Sequence, residues 1–330
     1  MRVLITGGAG FIGSHLAERW VKEGASVEII DDLSTGSLDN VAHLKQNPKF
    51  SCVLESIFDA QVVAELVDRC DIIYHLAAAV GVRLIVEEPT RTIETNVHGT
   101  EVILRAAAKK KKPLVIASTS EIYGKSLNTP FREDSDMVMG PTIKIRWSYA
   151  CSKALDEFLG LAYWQEKQLP VTIARLFNTV GPRQTGQYGM VIPTFIGQAL
   201  RGNPIMVHGS GEQTRCFAYV GEVVECLVRM ATRDNLAGEV INIGNDQEVS
   251  MNQVATLVKK ITGSSSEIAH IPYDEAYGPG FEDMPRRVPC LEKVERLLGF
   301  RPRMPLDQII SMVTADLRQN RESWQPAGIR

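Results

Sequence analysis

What the chain lacks narrows it first. Its six cysteines (52, 70, 151, 216, 226 and 290) form no CxxC pair and no metal-ligand spacing. That excludes a cysteine-built metal site or redox dithiol and fits reduced, packed thiols in a cytoplasmic protein. There is no basic surplus. The formal net charge is −3, which leaves no footprint for nucleic acid or an anionic membrane. The one cationic run, Lys109 to Lys112, follows a long helical stretch, where cations complement the C-terminal dipole. No apolar run is long enough to span a bilayer, and a strand beginning at Arg2 leaves no room for a signal peptide. Internal repeats and low-complexity segments are also missing.

What is present is ordinary in bulk and specific in detail. Apolar residues make up 44% and charged residues 23%, as in soluble globular proteins. At 330 residues the chain exceeds one compact unit, so a large domain with an appended lobe is expected. The specific detail is Ser148-Tyr149-Ala150-Cys151-Ser152-Lys153. Tyr149 and Lys153 stand one helical turn apart, so phenol and ammonium share a face. A phenol ordinarily titrates near 10, and a neighbouring cation stabilises its phenolate. The pair suits removal of a proton from an alcohol while a hydride leaves the carbon, provided a nicotinamide is at hand.

The N-terminus supplies a place for one. The apolar run Arg2 to Thr6 leads into Gly7-Gly8-Ala9-Gly10-Phe11-Ile12-Gly13, then an amphipathic stretch to Lys22, then a second apolar run ending in Asp31-Asp32. Strand, glycine turn, helix, strand and acid make the dinucleotide-binding βαβ arrangement. Gly7 permits the tight turn, Gly10 lets backbone approach a pyrophosphate, and Gly13 lets helix pack on strand. Asp31 lies eighteen residues past Gly13, close to the spacing of about 20 at which a carboxylate reaches the adenosine ribose. Asp31 and Asp32 together would repel a 2′-phosphate, which favours NAD over NADP.

Strand-like and helix-like segments alternate as far as the strand Val171 to Leu176, which predicts an α/β fold with a doubly wound parallel sheet. Beyond Asn178 the pattern loosens and gains Pro and Gly. The expected division is a dinucleotide-binding domain of residues 1–177 plus about 216–245, a smaller C-terminal lobe of about 178–215 plus 246–320, and a tail at 321–330. Ligands of such sheets bind at the carboxyl ends of the strands, where Asp31, Ala77, Ser118 and Arg175 fall. His75, also at a strand end, is expected to pack there and not to act as a base. Cys151 reads as a helix-packing residue, not a nucleophile.

Several blocks together resemble the extended short-chain dehydrogenase/reductases that act on nucleotide sugars. They are Thr6 to His15, Asp31 to Gly36, His75-Leu76-Ala77-Ala78, Asn96-Val97-His98-Gly99-Thr100, the Tyr149/Lys153 pair and Arg175 to Arg183. The resemblance spans nearly the whole chain. It implies a Rossmann fold, NAD as cofactor, a UDP-sugar substrate and a homodimer formed through the helices around Thr92–Ala108 and Tyr149–Gln165. It also implies NAD contacts from Gly7, Gly10, Phe11, Ile12 and Gly13, and from Asp31, Asp32, Ser34, Thr35 and Gly36. Ser56, Ile57, Leu76, Ala77, Ala78 and Asn96 would add to them, with Tyr149 and Lys153. Substrate contacts would come from Val80, Arg146, Asn178, Arg183, Val191, Arg215 and Arg287. Arg215 stands in Gln213-Thr214-Arg215-Cys216-Phe217, a departure from the family's usual Arg-Asp-Phe/Tyr.

Family members share oxidation of the sugar, usually at C4, and differ in the step that follows. In Ser118-Thr119-Ser120-Glu121-Ile122-Tyr123-Gly124, Ser120 stands where 4,6-dehydratases carry the Asp that protonates the departing hydroxyl. Simple 4-epimerases usually have a small or uncharged residue at Glu121. The Ser-Glu pair, the segment Gly140 to Lys153 and Arg286-Arg287-Val288-Pro289 resemble UDP-glucuronate decarboxylases. On that resemblance Thr119, Ser120, Glu121, Tyr149, Lys153 and Arg287 are the expected catalytic residues, with no metal. Arg146 would hold the substrate carboxylate. Glu121 beside that carboxylate would repel it unless its own pKa rose. Arg287 reads equally as a phosphate contact. The alternatives are a nucleotide-sugar 4-epimerase, less favoured a 4,6-dehydratase, and, in a different class, a non-catalytic NAD-binding regulatory protein.

Overall fold

The computed structural model describes residues 1–186, 189–277 and 282–319; the expected tail at 321–330 lies outside the described residues. Seven strands form one sheet: β1 (Arg2–Thr6), β2 (Ser26–Asp31), β3 (Phe50–Leu54), β4 (Ile72–His75), β5 (Leu114–Thr119), β6 (Val171–Leu176) and β7 (Val240–Ile243). Their spatial order is β7-β6-β5-β4-β1-β2-β3, and every pairing is parallel. The order reverses between β1 and β4, which opens a crevice at the carboxyl ends of those two strands. A parallel sheet is covered on both faces, so its strands read as nearly unbroken apolar runs; all four residues of β4 are buried.

The two faces carry separate cores. Helices Phe11–Lys22, Val220–Thr232 and Glu292–Leu298 cover one, with Leu16, Trp20, Val223, Leu227, Val294 and Leu298 against the sheet. Helices Ala60–Arg69, Pro89–Lys110 and Ser148–Lys167 cover the other. A third core gathers Ile192, Phe195, Val254, Val258, Ile310 and Val313 in the C-terminal lobe. There the helices Val191–Leu200, Met251–Thr262 and Leu306–Gln319 pack beside short paired strands such as Ile205–His208 and Ile268–Ile271.

One boundary differs from expectation. Residues 246–320 do not all belong to the lobe, because Glu292–Leu298 buries Val294 and Leu298 in the sheet core. The amphipathic spacing of Leu291, Val294, Leu297 and Leu298 makes that helix, and its apolar stripe docks on the domain it re-enters. The chain therefore crosses between domain and lobe again near 284–291, which carries Arg287 to the mouth of the crevice.

Candidate active site

The crevice is a single cavity of about 500 Å³ running from the glycine turn to the lobe. At its β1 end Gly7 has a φ of +68°, open to glycine at little cost. A Cβ at Gly13 would lie 2.2 Å from the Gly7 carbonyl, so only glycine lets the helix sit this close to the turn. The helix Phe11–Lys22 is capped by Gly10 with no side-chain acceptor and no acid in its first turn. Its free N–H groups and the positive end of its dipole face the cavity, a site for a phosphate. Asp31 closes this end: Oδ2 accepts from the Ala9 N–H (2.9 Å) and Oδ1 from the Leu33 N–H (2.8 Å). Burial pushes its carboxyl up, against these backbone donors. Donor set and shape fit a dinucleotide.

Most of the residues expected from sequence meet on this cavity. Phe11, Ile12, Asp32, Ser34, Thr35, Ile57, Leu76, Ala77 and Ala78 line the dinucleotide half. Val80, Thr119, Ser120, Glu121, Arg146, Tyr149, Lys153, Asn178, Val191, Arg215 and Arg287 line the other. Four are placed elsewhere. Gly36 sits behind Asp31, where a Cβ would be 3.0 Å from Oδ1. Ser56 accepts from the Phe58 N–H in its own turn. Asn96 is fully buried behind the wall, accepting from the Ala79 N–H and donating to Ser152 Oγ, both at 3.0 Å. Arg183, expected to bind substrate, instead pairs with Glu18 at 2.6 Å and ties the lobe to the first helix. Burial would raise the Glu18 carboxyl, but Lys22 and Arg183 bring it down to about 2.

The reactive end is built on three elements. Strand β5 ends at Thr119, whose hydroxyl accepts from the Glu121 N–H and so caps the 3-10 turn Ser120–Tyr123. The helix Ser148–Lys167 brings Tyr149 to the same wall, 6% exposed. Burial, with the Glu121 charge adding to it, pushes the phenol well above its ordinary value, while a hydrogen bond to Thr119 works the other way. In the chain alone, burial outweighs the cations expected to lower this phenol. Lys153 Nζ donates to Asp156 Oδ2 at 2.7 Å, and that ion pair is buried, Lys153 2% exposed and Asp156 0%. Asp156 is one residue that sequence reasoning missed, although its place three positions after Lys153 on one helix face is a readable signal.

Beside Tyr149 lies a buried charge cluster. Glu121 Oε2 accepts from Arg146 Nη1 at 2.5 Å and Oε1 from Arg287 Nη1 at 3.4 Å. Asp283 joins from the lobe, 2.7 Å from Arg215 and 3.9 Å from Arg146. Three guanidiniums thus face two carboxylates, an excess of one positive charge out of water. Burial alone would raise Glu121, but Arg146 and Arg287, with Arg215 behind them, hold its carboxyl below its ordinary value. The two arginines thus offset the Glu121 charge that would otherwise repel a substrate carboxylate. Burial, with Arg215 adding like-charge repulsion, pulls Arg287 down to about 10. Arg287 Nε is buried with no acceptor among the described residues, a donor available to a ligand.

Two strand-end residues turn away from the cavity chemistry. Arg175 forks onto Glu157 (Nη2 to Oε2, 2.8 Å) and donates to Tyr123 Oη at 2.9 Å, while Ser118 Oγ donates to Glu157 Oε1. This network holds the helix Ser148–Lys167 against β5 and β6. His75 bonds Thr6 Oγ1 (2.8 Å) and Thr100 Oγ1 (3.0 Å), and burial lowers it to about 3, so it is a neutral packing residue. Among the described residues no group of side chains is arranged to hold a metal ion, and no helix is long and apolar enough to cross a membrane.

Residues 4–313 match the family described as GDP-mannose 4,6 dehydratase. The chain belongs to this family. Within it, the chain is 46% identical over 308 residues to a UDP-N-acetyl-alpha-D-glucosaminuronate decarboxylase of Bacillus cytotoxicus, covering 93% of this chain and 94% of the relative. It is 38% identical over 307 residues to UDP-glucuronic acid decarboxylase 1 of Xenopus tropicalis, covering 93% and 70%. Among solved structures, UDP-glucuronic acid 4-epimerase from Bacillus cereus, in complex with UDP-glucuronic acid and NAD, superposes with a TM-score of 0.87. It is 28% identical and covers 97% of this chain and 99% of that one. The family thus holds enzymes whose names share the UDP-uronic acid and differ in what is done to it.

Proposed function

We propose that this chain is an NAD-dependent decarboxylase of a UDP-linked uronic acid. The observation that carries the reading is Glu121 held between Arg146 and Arg287 beside Tyr149. A 4-epimerase needs an alcohol oxidised and reduced again. An epimerase of a neutral sugar has no use for a buried guanidinium pair with a spare donor and an excess positive charge. A substrate carboxylate at C6 has. Against a uronate epimerase, the reading leans on the decarboxylase relatives at 46% and 38% identity.

The glycine turn and Asp31 would hold NAD, which when bound would supply the acceptor for the C4 hydride and its return. Tyr149 takes the C4 hydroxyl proton, with Thr119 bonded to the same oxygen. Oxidation at C4 makes the C6 carboxylate part of a β-keto acid. Arg146 and Arg287 align that carboxylate, and Glu121 keeps the two cations together without filling the site. Loss of carbon dioxide leaves an enolate at C5. Arg287, its pKa lowered by burial and by Arg215, is the acid suited to return a proton there. Ser120 offers no carboxylic acid to expel a C6 hydroxyl, which argues against dehydration. Asn178 and Arg215, lining the lobe side, would hold the diphosphate.

The sugar is UDP-glucuronate or its 2-acetamido analogue; the Bacillus cytotoxicus relative favours the second. Incubation with each UDP-uronate, read by product mass and proton NMR, tests the proposal. Loss of carbon dioxide is expected, giving the pentose or its 4-ketone. An unchanged mass with an inverted C4 would mean an epimerase, and inertness toward all UDP-sugars a non-catalytic NAD-binding protein. The enzyme works as a homodimer in the cytoplasm: Phe158, Leu155 and Ile93 stand exposed on the packed helices Ser148–Lys167 and Pro89–Lys110, and all six cysteines are free thiols.

A further inference from the structure

Lys153 and Asp156 form a buried ion pair inside the reactive wall, where stabilising a phenolate at Tyr149 calls only for a cation. A carboxylate taken fully out of water costs several kcal/mol unless it is paired. Asp156 Oδ2 takes Lys153, and the Thr100 hydroxyl also approaches the carboxylate, Oδ1 having no bond at full hydrogen-bonding geometry among the described residues. It is therefore a stabilising feature only weakly, and its charge lies next to the proton that the reaction moves.

The other charged and titratable groups around this spot are accounted for. Glu121 and Arg146 face Tyr149 from the turn after β5 and from the segment before the helix. His75 faces Lys153 from β4, buried and neutral. Glu157, next to Asp156, is bound by Arg175 and Ser118. Thr100 approaches from the helix Pro89–Lys110 and is uncharged. Asp156 is left as the counter-charge that sets how much of the Lys153 cation Tyr149 feels.

We propose that Asp156 is a positioning residue that makes ionisation of Tyr149 conditional on the oxidised cofactor. By clamping and offsetting Lys153, it adds to the burial and the Glu121 charge that keep the phenol protonated in the chain alone. A second positive charge, that of a bound oxidised nicotinamide, tips the phenol to phenolate, which accepts the C4 hydroxyl proton as the hydride leaves that carbon. Once the hydride has been transferred that charge is gone, and Tyr149 holds its proton ready to return to the C4 oxygen as the hydride comes back. One carboxylate thereby serves both directions of the proton transfer. Without it, the Lys153 cation would shift the phenol toward phenolate in both states of the cofactor, and the return step would suffer.

The inference rests on the proposed C4 oxidation, and the test separates the two. With wild-type enzyme, UDP-uronate and NAD, a transient nicotinamide absorbance near 340 nm and loss of carbon dioxide verify the oxidation; their absence defeats the function and not Asp156 alone. Given that step, Asp156→Asn is expected to move the acid limb of the hydride-transfer rate down by about one pH unit. The share of 4-keto product released is expected to rise several-fold, while Asp156→Glu retains the wild-type limb. A limb and product ratio unchanged in Asp156→Asn, with only thermal stability lowered, would reduce Asp156 to a structural role. Should Asp156→Asn not fold, carbon-13 NMR of carboxyl-labelled wild type decides. An Asp156 carboxyl ionised from pH 6 to 9 is required, and one protonated across that range overturns the proposal.

Discussion

Replacing Glu121 with Gln tests whether the charge cluster is a uronate site. The substitution keeps shape and removes the charge that bridges Arg146 (2.5 Å) and Arg287 (3.4 Å). Breaking a buried ion pair from one side costs about 3–5 kcal/mol, because the partner cations remain out of water. For a chain of 330 residues that corresponds to a fall in Tm of roughly 4–7 °C. The informative part is what restores it. A UDP-uronate would bring its own carboxylate to the two guanidiniums, where each charge-assisted bond is worth about 1.5–3 kcal/mol. UDP-glucose, lacking the carboxylate, would not. Calorimetric titration of the inactive double variant Glu121→Gln/Tyr149→Phe should therefore show the preference for UDP-glucuronate over UDP-glucose at least tenfold larger than in Tyr149→Phe alone. Equal preferences in the two proteins would mean that the substrate carboxylate lies elsewhere, and would refute the assignment of Arg146 and Arg287.

Three further outcomes follow from the same coordinates. Gly13→Ala would place a methyl 2.2 Å from the Gly7 carbonyl. Neither backbone can yield, so NAD affinity measured by fluorescence quenching should fall by at least about tenfold, and retained affinity would remove the turn from the cofactor site. His75 is lowered to about 3 in the fold. The unfolded chain takes up the proton first, so stability is complete above pH 6.5 and is lost progressively as pH falls toward 3. His75→Gln should flatten the drop of about 2 kcal/mol between pH 7.5 and 5 in chemical denaturation. Phe158 is 61% exposed, so Phe158→Asp should leave the protomer folded and yield a monomer by light scattering; an unchanged dimer would place the interface on another face.

The sheet and its cofactor turn were legible because they rest on short-range rules. Periodicity marks strands and helices, Gly7 and Gly13 serve a local close approach, and Asp31 follows at a fixed distance. Glu121, Arg146 and Arg287 were found through resemblance, but their relation was not, since an ion pair across 166 residues has no signature in spacing. Arg183 shows the same limit in reverse. Its motif pointed to substrate, and only the packing of the lobe on the first helix reveals that Glu18 claims it. The helix Glu292–Leu298 had the periodicity of a helix but nothing to say which core it would join. Asp156 stands within local reach, three positions after Lys153 on one helix face, but nothing in the spacing says that the lysine is paired with it.

That carboxylate and Glu121 put the same physical question to the site. Each is an acid buried beside a cation the chemistry needs, and each weakens that cation at a cost in desolvation. An apolar residue at either place would be cheaper to bury. The expense is justified only if the cations must be held without being permanently satisfied. Arg146 and Arg287 have to stand close together, against their mutual repulsion, before a substrate carboxylate arrives, and Glu121 makes that approach tolerable. Lys153 has to stand near Tyr149 without ionising it before the oxidised cofactor is present, and Asp156 does the equivalent there. The distinction has a measurable form. If both acids are place-holders, the loss of either should be felt more in the ligand-free protein than in the complex, so bound NAD and UDP-uronate together should recover most of the lost Tm in Glu121→Gln and in Asp156→Asn. A deficit that persists undiminished in the ternary complex would mark them as ordinary structural pairs.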